Sequence, residues 1–263
     1  MKIISGHQPV YMPWLGFFHK VALADIFVVM DDVQYLQQDW NNRNYIKGGH
    51  GPVRLTVPVS LKKSKSKIIR DIKIQSEGDI EASSHWQKKH YLSIRSCYAR
   101  APFYSEHAEF IENLFLNKKW EWLHELNYEI LKYMLGYLGL ETELVIASEF
   151  GFQGVKSDLV LDHCLKLNGN ICVLGMHGKD YIDCDSFFRK GISLHFQDYV
   201  HPRYDQLFGE FESNLSTLDV LMNAGKNSLE ILRSDNVTRS ELLDAVNKSE
   251  TPIVYTRRSD HEK

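Results

Sequence analysis

The chain has 263 residues, of which 43% are hydrophobic, 25% charged and 12% aromatic. This composition is that of a globular protein with enough apolar side chains for one large domain or two modest ones. The formal net charge of −3 argues against a generally basic nucleic-acid-binding surface, while a local basic site for a small anion stays open.

Neither a secretory leader nor an apolar run of membrane-spanning length is evident, so we expect a cytoplasmic protein without membrane insertion. The four cysteines show no paired spacing and are expected to be reduced thiols. The twelve histidines show no zinc-binding spacing, and we predict no metal site. Motifs of serine hydrolases, P-loop kinases and dinucleotide dehydrogenases are also missing.

Strand and helix patterns alternate in the first third of the chain. In chain order we predict a strand at residues 2–5, a helix at 13–22, and strands at 25–30, 54–58 and 68–74. The segment at 25–30 carries a continuous apolar run, as expected in a parallel sheet that is covered on both faces.

The middle of the chain is predicted to be helical, and the α/β pattern then returns. The predicted helices are 83–100, 102–117, 119–138, 157–167 and one or two within 216–232, and the strands are 143–146, 171–174 and 192–196. The fold class is therefore α/β, with a mostly parallel, open, Rossmann-like sheet and a helical insertion or lobe at about residues 83–138. We predict one domain over residues 1–233 and a polar C-terminal tail over 234–263.

Two predicted loops are rich in His, Gln, Tyr and Pro. Such loops usually present side chains to ligands, because polar aromatic residues beside rigid prolines make poor core. In the first loop, directly after the opening strand, the candidate site residues are His7, Gln8, Tyr11 and Trp14. In the second, after the strand at 192–196, they are Gln197, His201 and Tyr204.

Asp31 and Asp32 close the second predicted strand, and Gln34 follows them. Adjacent strand residues point to opposite faces, so one carboxylate is expected to face the site. We take Asp32 as a candidate base and Gln34 as a candidate ligand-binding residue. A turn or helix cap formed by one aspartate is the alternative.

Residues 41–47 are dense in amide and basic groups, which suit sugar hydroxyls and phosphate. The candidates there are Asn42, Arg43, Asn44 and Lys47, and a plain turn is the alternative. The basic segment 62–67 is either a solvated connection or a mobile lid that meets phosphate.

Two later segments add weaker candidates. Lys156 precedes a predicted helix and would reach an anion there, although Ser157 is a simple N-cap. Two glycines surround His177 after a strand, which suggests a close approach of the backbone to a ligand, and Asp180 and Tyr181 follow.

Many of these segments, in the same order, resemble the WbqC-like family. The resembling segments are residues 7–16, 24–28, 32–35, 42–47, 55–59, 156–159, 178–181, 196–197, 201–204 and 215–221. Members of that family are encoded among bacterial surface-polysaccharide genes, some in pathways for 4-amino-4,6-dideoxyhexoses that carry an amino acid on the sugar nitrogen. The resemblance implies an enzyme of O-antigen or lipopolysaccharide biosynthesis. It would transfer an aminoacyl (glycyl-like) or acyl group to the amine of a nucleotide-linked amino sugar.

For that reaction, His7 or Asp32 would take the amine proton, and His177 or His201 would do so instead or orient the oxyanion. The donor would be aminoacyl-tRNA, an acyl carrier protein thioester, or an amino acid with ATP. Two alternatives stay open: an ATP-dependent, adenylate-forming amide ligase of nucleotidyltransferase-like fold, and a non-catalytic nucleotide-sugar-binding accessory protein. In each case the loops after parallel strands are expected to meet at one edge of the sheet, with Arg43 and Lys47 at the rim of the pocket.

Overall fold

The computed structural model describes residues 1–75 and 86–256. The strands are β1 (Ile3–His7), β2 (Ile26–Val29), β3 (Arg43–Gly48), β4 (Gly51–Thr56), β5 (Val59–Ser60), β6 (Lys73–Ile74), β7 (Glu143–Ile146), β8 (Ile171–Leu174), β9 (Ser193–Phe196) and β10 (Val254–Tyr255). The α-helices are α1 (Leu15–Leu23), α2 (Trp86–Tyr98), α3 (Tyr104–Glu112), α4 (Leu123–Leu138), α5 (Ala147–Phe150), α6 (Ser157–Lys166), α7 (Cys184–Phe188), α8 (Leu218–Ala224), α9 (Ser228–Arg233) and α10 (Arg239–Asn247).

Six strands form a central sheet in the order β10-β9-β8-β1-β2-β7, and every neighbouring pair is parallel. If these six are renumbered by chain order, the order becomes 6-5-4-1-2-3, which is the doubly wound 3-2-1-4-5-6 order viewed from the other side. The prediction of an α/β, Rossmann-like parallel sheet is confirmed. The direction of winding reverses between β1 and β8, and ligands of such folds bind outside the carboxyl ends of the strands at that point.

Both faces of the sheet are covered, which explains the continuous apolar run of β2. Phe27 packs in one cluster with Phe17 of α1, whereas Val28 packs in another with Leu159 of α6. Alternate residues of one strand therefore meet helices on opposite sides.

Helices α2 to α4 form the predicted helical part in the middle of the chain, and α4 supplies much of its core. Leu123, Ile130, Met134 and Leu138 are buried at helical spacing, as the sequence pattern predicts. The helix ends where Gly139 takes a left-handed conformation, with φ of 67°. Among the residues that the structure describes, no helix has the length and apolar character needed to cross a membrane.

Several local predictions need correction. The run at 41–47 is not the plain turn given as one alternative, because residues 43–48 form strand β3, which pairs antiparallel with β4. The predicted strand at 68–74 is a 3-10 turn (Ile69–Asp71) followed by the short β6. The predicted helix at 102–117 consists of α3 and the π-helical turn that follows it (Asn113–Asn117). Residues 43–48 and 69–74 bond to distant parts of the chain, such as β4, Val33 and Glu121, which a local pattern cannot show.

The folded part of the chain extends beyond residue 233. Of the segment assigned to a polar tail, α10 packs against β1 and β8 through Leu242 and Val246, and β10 adds a parallel edge strand beside β9. Residues 257–263 lie outside the described part of the chain.

Gly225 and Gly136 give a matched pair of substitutions. Gly225 has φ of 56°, and a Cβ added there would lie 2.4 Å from Cδ1 of Phe103. Gly136 lies within α4 with no atom within 4 Å of an added Cβ. We expect Gly225→Ala to lower the free energy of unfolding by about 2–4 kcal/mol and Gly136→Ala to raise it by about 0.5–1 kcal/mol. Urea unfolding of both variants measures this, and equal effects would contradict the assigned geometry.

Buried histidines should make the fold sensitive to acid. Burial lowers the pKa of His19, His90 and His163 from 6.5 to about 4. Below pH 6.5 the unfolded chain therefore binds protons that the folded chain does not, and the free energy of unfolding falls as the pH is lowered toward 4. We expect a loss of about 1–2 kcal/mol per histidine at pH 5.

Urea unfolding at pH 7.5 and pH 5 measures that loss. The variant His163→Gln should show a smaller difference between the two pH values than the wild type, whereas Gln at the exposed His50 serves as the control. If His163→Gln loses as much free energy of unfolding between pH 7.5 and pH 5 as the wild type does, the wild-type His163 imidazole binds protons equally in the folded and unfolded states.

Candidate functional site

A cavity of about 520 Å³ lies at the carboxyl edge of the sheet. One wall is formed by the ends of β2 and β7 and the residues that follow them, and the other by the start of α4 and the segment before it. The lining residues are Val29, Asp31, Lys118, Lys119, Trp120, His124, Glu125, Tyr128, Glu129, Ile146, Ser148 and Glu149. This is the carboxyl edge, at which open α/β sheets bind ligands, but the cavity lies beside β2 and β7 and not at the point between β1 and β8 where the winding reverses.

Asp31 lines the sheet side of the cavity, whereas the neighbouring Asp32 lines neither the cavity nor any crevice described below. Asp31 is buried, and its carboxylate accepts bonds from the backbone N–H (2.9 Å) and hydroxyl (2.7 Å) of Ser148, so it ties the end of β2 to the residues after β7. The buried Oδ1 of Asp32 has no hydrogen-bond partner in the described chain. Burial raises the pKa of Asp32, and the neighbouring Asp31 adds to the effect.

On the helix side, the wall combines cations, aromatic rings and a histidine. The Lys118 ammonium lies 4.1 Å from the ring centre of Trp120 and 3.9 Å from Oε1 of Glu129. The buried Nδ1 of His124 lacks a hydrogen-bond partner among the described residues. The wall therefore offers positive charge, flat apolar surface and an uncommitted ring nitrogen to one ligand.

A narrow crevice of about 10 Å³ adjoins this cavity and shares Val29 and Tyr128 with it. His7 lies at the crevice, and its ring makes edge contacts with Trp14 (5.7 Å between centroids) and Phe17 (5.3 Å). Nδ1 of His7 lies 2.9 Å from the Gln8 carbonyl oxygen, which only accepts, so Nδ1 carries the proton. Burial, helped by the Lys20 ammonium, lowers the pKa of His7 to about 3, and the neutral ring keeps Nε2 as an acceptor.

Buried amides add further acceptors beside His7. Asn41 donates to the Pro9 carbonyl at 2.8 Å and to Oε1 of Gln8 at 3.3 Å, and Asn127 donates to the Asn41 carbonyl at 2.8 Å. The Oδ1 atoms of Asn41 and Asn127 are buried, and neither has a partner within residues 1–75 and 86–256. A buried polar atom without a partner calls for an explanation, and a hydrogen-bond donor on a ligand supplies one.

Other residues predicted in the first loop and the run at 41–47 have structural partners. The Tyr11 hydroxyl donates to His90 at 2.8 Å in the core. Asn44 donates to the carbonyls of Tyr11 and Met12, and Asn42 donates to the Val57 carbonyl. These bonds fix the loop, in which Met12 has φ of 47°.

Lys47 and Tyr204 lie in a buried polar cluster, so Lys47 does not stand at a rim. Lys47 donates from Nζ to the Glu210 carbonyl, and the hydroxyls of Tyr204 and Tyr98 donate to the Asp219 carboxylate at 2.8 and 2.7 Å. Burial raises the pKa of Asp219. The cluster joins β3 to α8 inside the protein.

The second loop contacts the first through α1. Gln197 donates to the Gly16 carbonyl at 2.9 Å and to Nδ1 of His19 at 2.7 Å. Tyr199 packs against Gly16, where an added Cβ would lie 3.0 Å from the ring. Tyr199 also contacts His201, with 6.2 Å between ring centroids, and Nε2 of His201 is buried without a partner among the described atoms.

The remaining candidates are peripheral. The His177 side chain is 93% exposed and lies 3.5 Å from Asp180, while Tyr181 and Lys156 are also exposed. Gln34 is exposed and Arg43 is half-buried, with Nε donating to Asn42. None of these residues lines the cavity or the crevice. Over the described chain, no three His, Cys, Asp or Glu side chains are grouped to hold a metal ion.

Sequence reasoning missed the wall that α4 provides. Its members are Lys118, Lys119, Trp120, His124, Asn127 and Tyr128. The available signal was the pair of lysines beside an aromatic residue at a predicted helix start, a combination typical of anion sites. The apolar stripe of α4 predicts only that the helix packs in the core.

Comparisons with known proteins add a family relationship. The sequence profile of the WbqC-like protein family matches residues 8–231. An uncharacterized protein of Mycobacterium tuberculosis (strain ATCC 25618 / H37Rv) is 31% identical over 234 residues, which span 89% of this chain and 98% of the relative. No solved structure gives a significant match.

We expect the His7 imidazole to remain neutral, with its proton on Nδ1, between pH 8 and pH 5. Burial and the Lys20 ammonium disfavour the charged ring, so its pKa of about 3 lies below this range. Long-range ¹⁵N–¹H spectra of histidine-labelled protein measure the tautomer and the titration, with His7→Gln providing the assignment. A midpoint near pH 6.5 would contradict the buried environment described here.

Proposed function

Because the chain belongs to the WbqC-like protein family, we propose that it acts in surface-polysaccharide biosynthesis in the cytoplasm. There it transfers an aminoacyl (glycyl-like) or acyl group to the amine of a nucleotide-linked 4-amino-4,6-dideoxyhexose. The observation that carries this proposal is the crevice at His7. The neutral imidazole of His7 and Asn127, whose buried amide oxygen has no partner in the described chain, line this crevice beside a ligand-sized cavity.

The crevice has the chemistry that an amine needs. Amide oxygens and a deprotonated imidazole nitrogen are acceptors, whereas an amine presents N–H donors. A volume of about 10 Å³ is that of one water-sized group, and an amine nitrogen is such a group. The bulk of the sugar nucleotide would lie in the adjoining cavity of about 520 Å³, which is within the range of ligand pockets.

The cavity wall suits the nucleotide part of the substrate. Lys118 and Lys119 would meet the phosphates, since an ammonium is a common phosphate ligand. Trp120 and Tyr128 offer flat rings for the base or the sugar. The glutamates at the same cavity would accept hydrogen bonds from ribose or sugar hydroxyls.

The reaction would proceed by attack of the amine nitrogen on the acyl carbonyl carbon. The new C–N bond forms as the bond to the leaving group breaks. The nitrogen becomes strongly acidic as it donates electron density to the carbonyl carbon, so Nε2 of His7 accepts its proton at that stage although the pKa of the free imidazole is about 3. Tyr128 lines both the cavity and the crevice, so its hydroxyl is the candidate donor to the developing oxyanion. The proton held by His7 then passes to the leaving group.

Two other functions predict different results. An adenylate-forming ligase would catalyse amino-acid-dependent exchange of pyrophosphate with ATP. The observation that favours this function is the parallel sheet, whose strand order is shared with nucleotide-binding folds. A non-catalytic accessory protein would bind the nucleotide sugar without turnover.

The direct test incubates the purified protein with dTDP-4-amino-4,6-dideoxyhexoses and three donors separately: aminoacyl-tRNA, an acyl carrier protein thioester, and amino acid with ATP. We expect an amide product, detected by mass spectrometry, with one donor. If no donor yields an amide with any of several sugars, the proposal fails.

We expect His7→Gln to lower kcat about 10²- to 10⁴-fold, because Gln keeps the polar volume but cannot accept the proton. Binding of the nucleotide sugar, measured by calorimetry, should change far less, which separates catalysis from a binding role. His50→Gln, at an exposed turn, is the matched control and should retain activity. Loss of turnover in His177→Gln with none in His7→Gln would assign the base elsewhere.

A further inference from the structure

A second cavity, of about 280 Å³, shares Lys118, Trp120 and Glu129 with the main one. It lies against the π-helical turn Asn113–Asn117 at the end of α3. Turns of this kind interrupt an α-helix and frequently occur at functional sites. The two cavities are therefore neighbours separated by the Trp120 ring and the Lys118 side chain.

Three of the seven residues that line this second cavity are apolar: Phe110, Leu114 and Trp120. The Trp120 indole donates to the Leu114 carbonyl at 2.9 Å, which fixes the ring in place. Phe110 is stacked on Tyr133 with 3.5 Å between ring centroids. Leu114 is buried beneath them. A ligand with methylene or methyl groups would bury apolar surface here without reorganising the walls.

Two amides give the second cavity a specific hydrogen-bonding pattern. Asn117 donates from Nδ2 to Oδ1 of Asn113 at 2.8 Å. That bond leaves Nδ2 of Asn113 as a donor and Oδ1 of Asn117 as an acceptor, and neither bonds elsewhere in the described residues. Because the C=O and N–H of a trans secondary amide point in opposite directions, the donor suits the C=O of one such group and the acceptor the N–H of another along an extended ligand.

From this combination we infer that the second cavity binds the phosphopantetheine arm of a thioester donor. The inference rests on the proposed function, in which an acyl group must reach the amine at the His7 crevice. The arm carries secondary amides for Asn113 and Asn117 and methylene groups for the apolar walls. Its thioester end passes Trp120 into the main cavity, and Lys118 at the shared wall lies near its path.

The chemistry balances without a further reagent. The amine nitrogen attacks the thioester carbonyl carbon, the C–N bond forms, and the C–S bond breaks. The sulfur leaves as a thiolate and takes the proton that His7 removed from the amine. Amine and thioester thereby become amide and free thiol, and no ATP is consumed in this step.

Calorimetry with coenzyme A tests the inference, because coenzyme A contains the whole arm. Adenosine 3′,5′-bisphosphate, which carries the same nucleotide without the arm, is the comparison ligand. We expect coenzyme A to bind at least about 10-fold more tightly than the armless nucleotide. Asn117→Leu should weaken coenzyme A binding about 3- to 10-fold, the usual effect of losing one hydrogen bond. Asn247→Ala, at an exposed position of α10, is the control and should bind as the wild type does.

Binding of the nucleotide sugar to the same variants separates this inference from the proposed function. If Asn117→Leu binds the nucleotide sugar normally and coenzyme A weakly, the second cavity is the donor site. If coenzyme A binds no more tightly than the bisphosphate, the inference is overturned. Amide formation with aminoacyl-tRNA, or with amino acid and ATP, as the only productive donor would also overturn it and leave the proposed function intact.

Discussion

Amide side chains hold the loop that follows β1, and the candidate site depends on them. This loop has few strand partners, so its buried carbonyls need hydrogen bonds from elsewhere. Asn41 bonds Pro9, and Asn44 bonds Tyr11 and Met12. Gln197, which lies far along the chain, bonds Gly16 at the start of α1. Because these donors come from two distant parts of the chain, the position of the loop depends on the tertiary fold.

The candidate site combines an uncharged imidazole in the narrow crevice with charged lysines on the exposed side of the cavity. Burial keeps His7 uncharged, and Lys20 in α1, itself buried with a pKa lowered to about 8, adds to the cost of a second positive charge. Lys118 and Lys119 stand farther out, beside solvent. A neutral imidazole in a confined space and exposed cations nearer the surface would suit the proposed substrate, which has an amine at one end and phosphates at the other.

Local patterns were sufficient for most of the central sheet. β7 and β8 occupy the predicted residues, and β1, β2 and β9 differ by a residue or two, because strands buried on both faces leave continuous apolar runs.

Local patterns failed where a segment's hydrogen-bond partners are distant in the sequence. Residues 43–48 are polar enough to suggest a binding loop, yet they form β3, since β4 supplies the ladder and the amides turn inward. The segment at 68–74 likewise obtains its conformation from neighbours such as α4.

The sequence by itself determined the fold class, the family and the polar segment that begins with His7 at the end of β1, because apolar runs and motif order are local properties. Only the tertiary structure decided which polar residues line a cavity and which hold the loops. Asn44, Lys47 and Tyr204 were indistinguishable from ligand-binding residues until their buried partners were known. The wall formed by α4 was equally hidden, since more than a hundred residues separate it from β1. A cavity is defined by the packing of distant elements, and no local pattern records that packing.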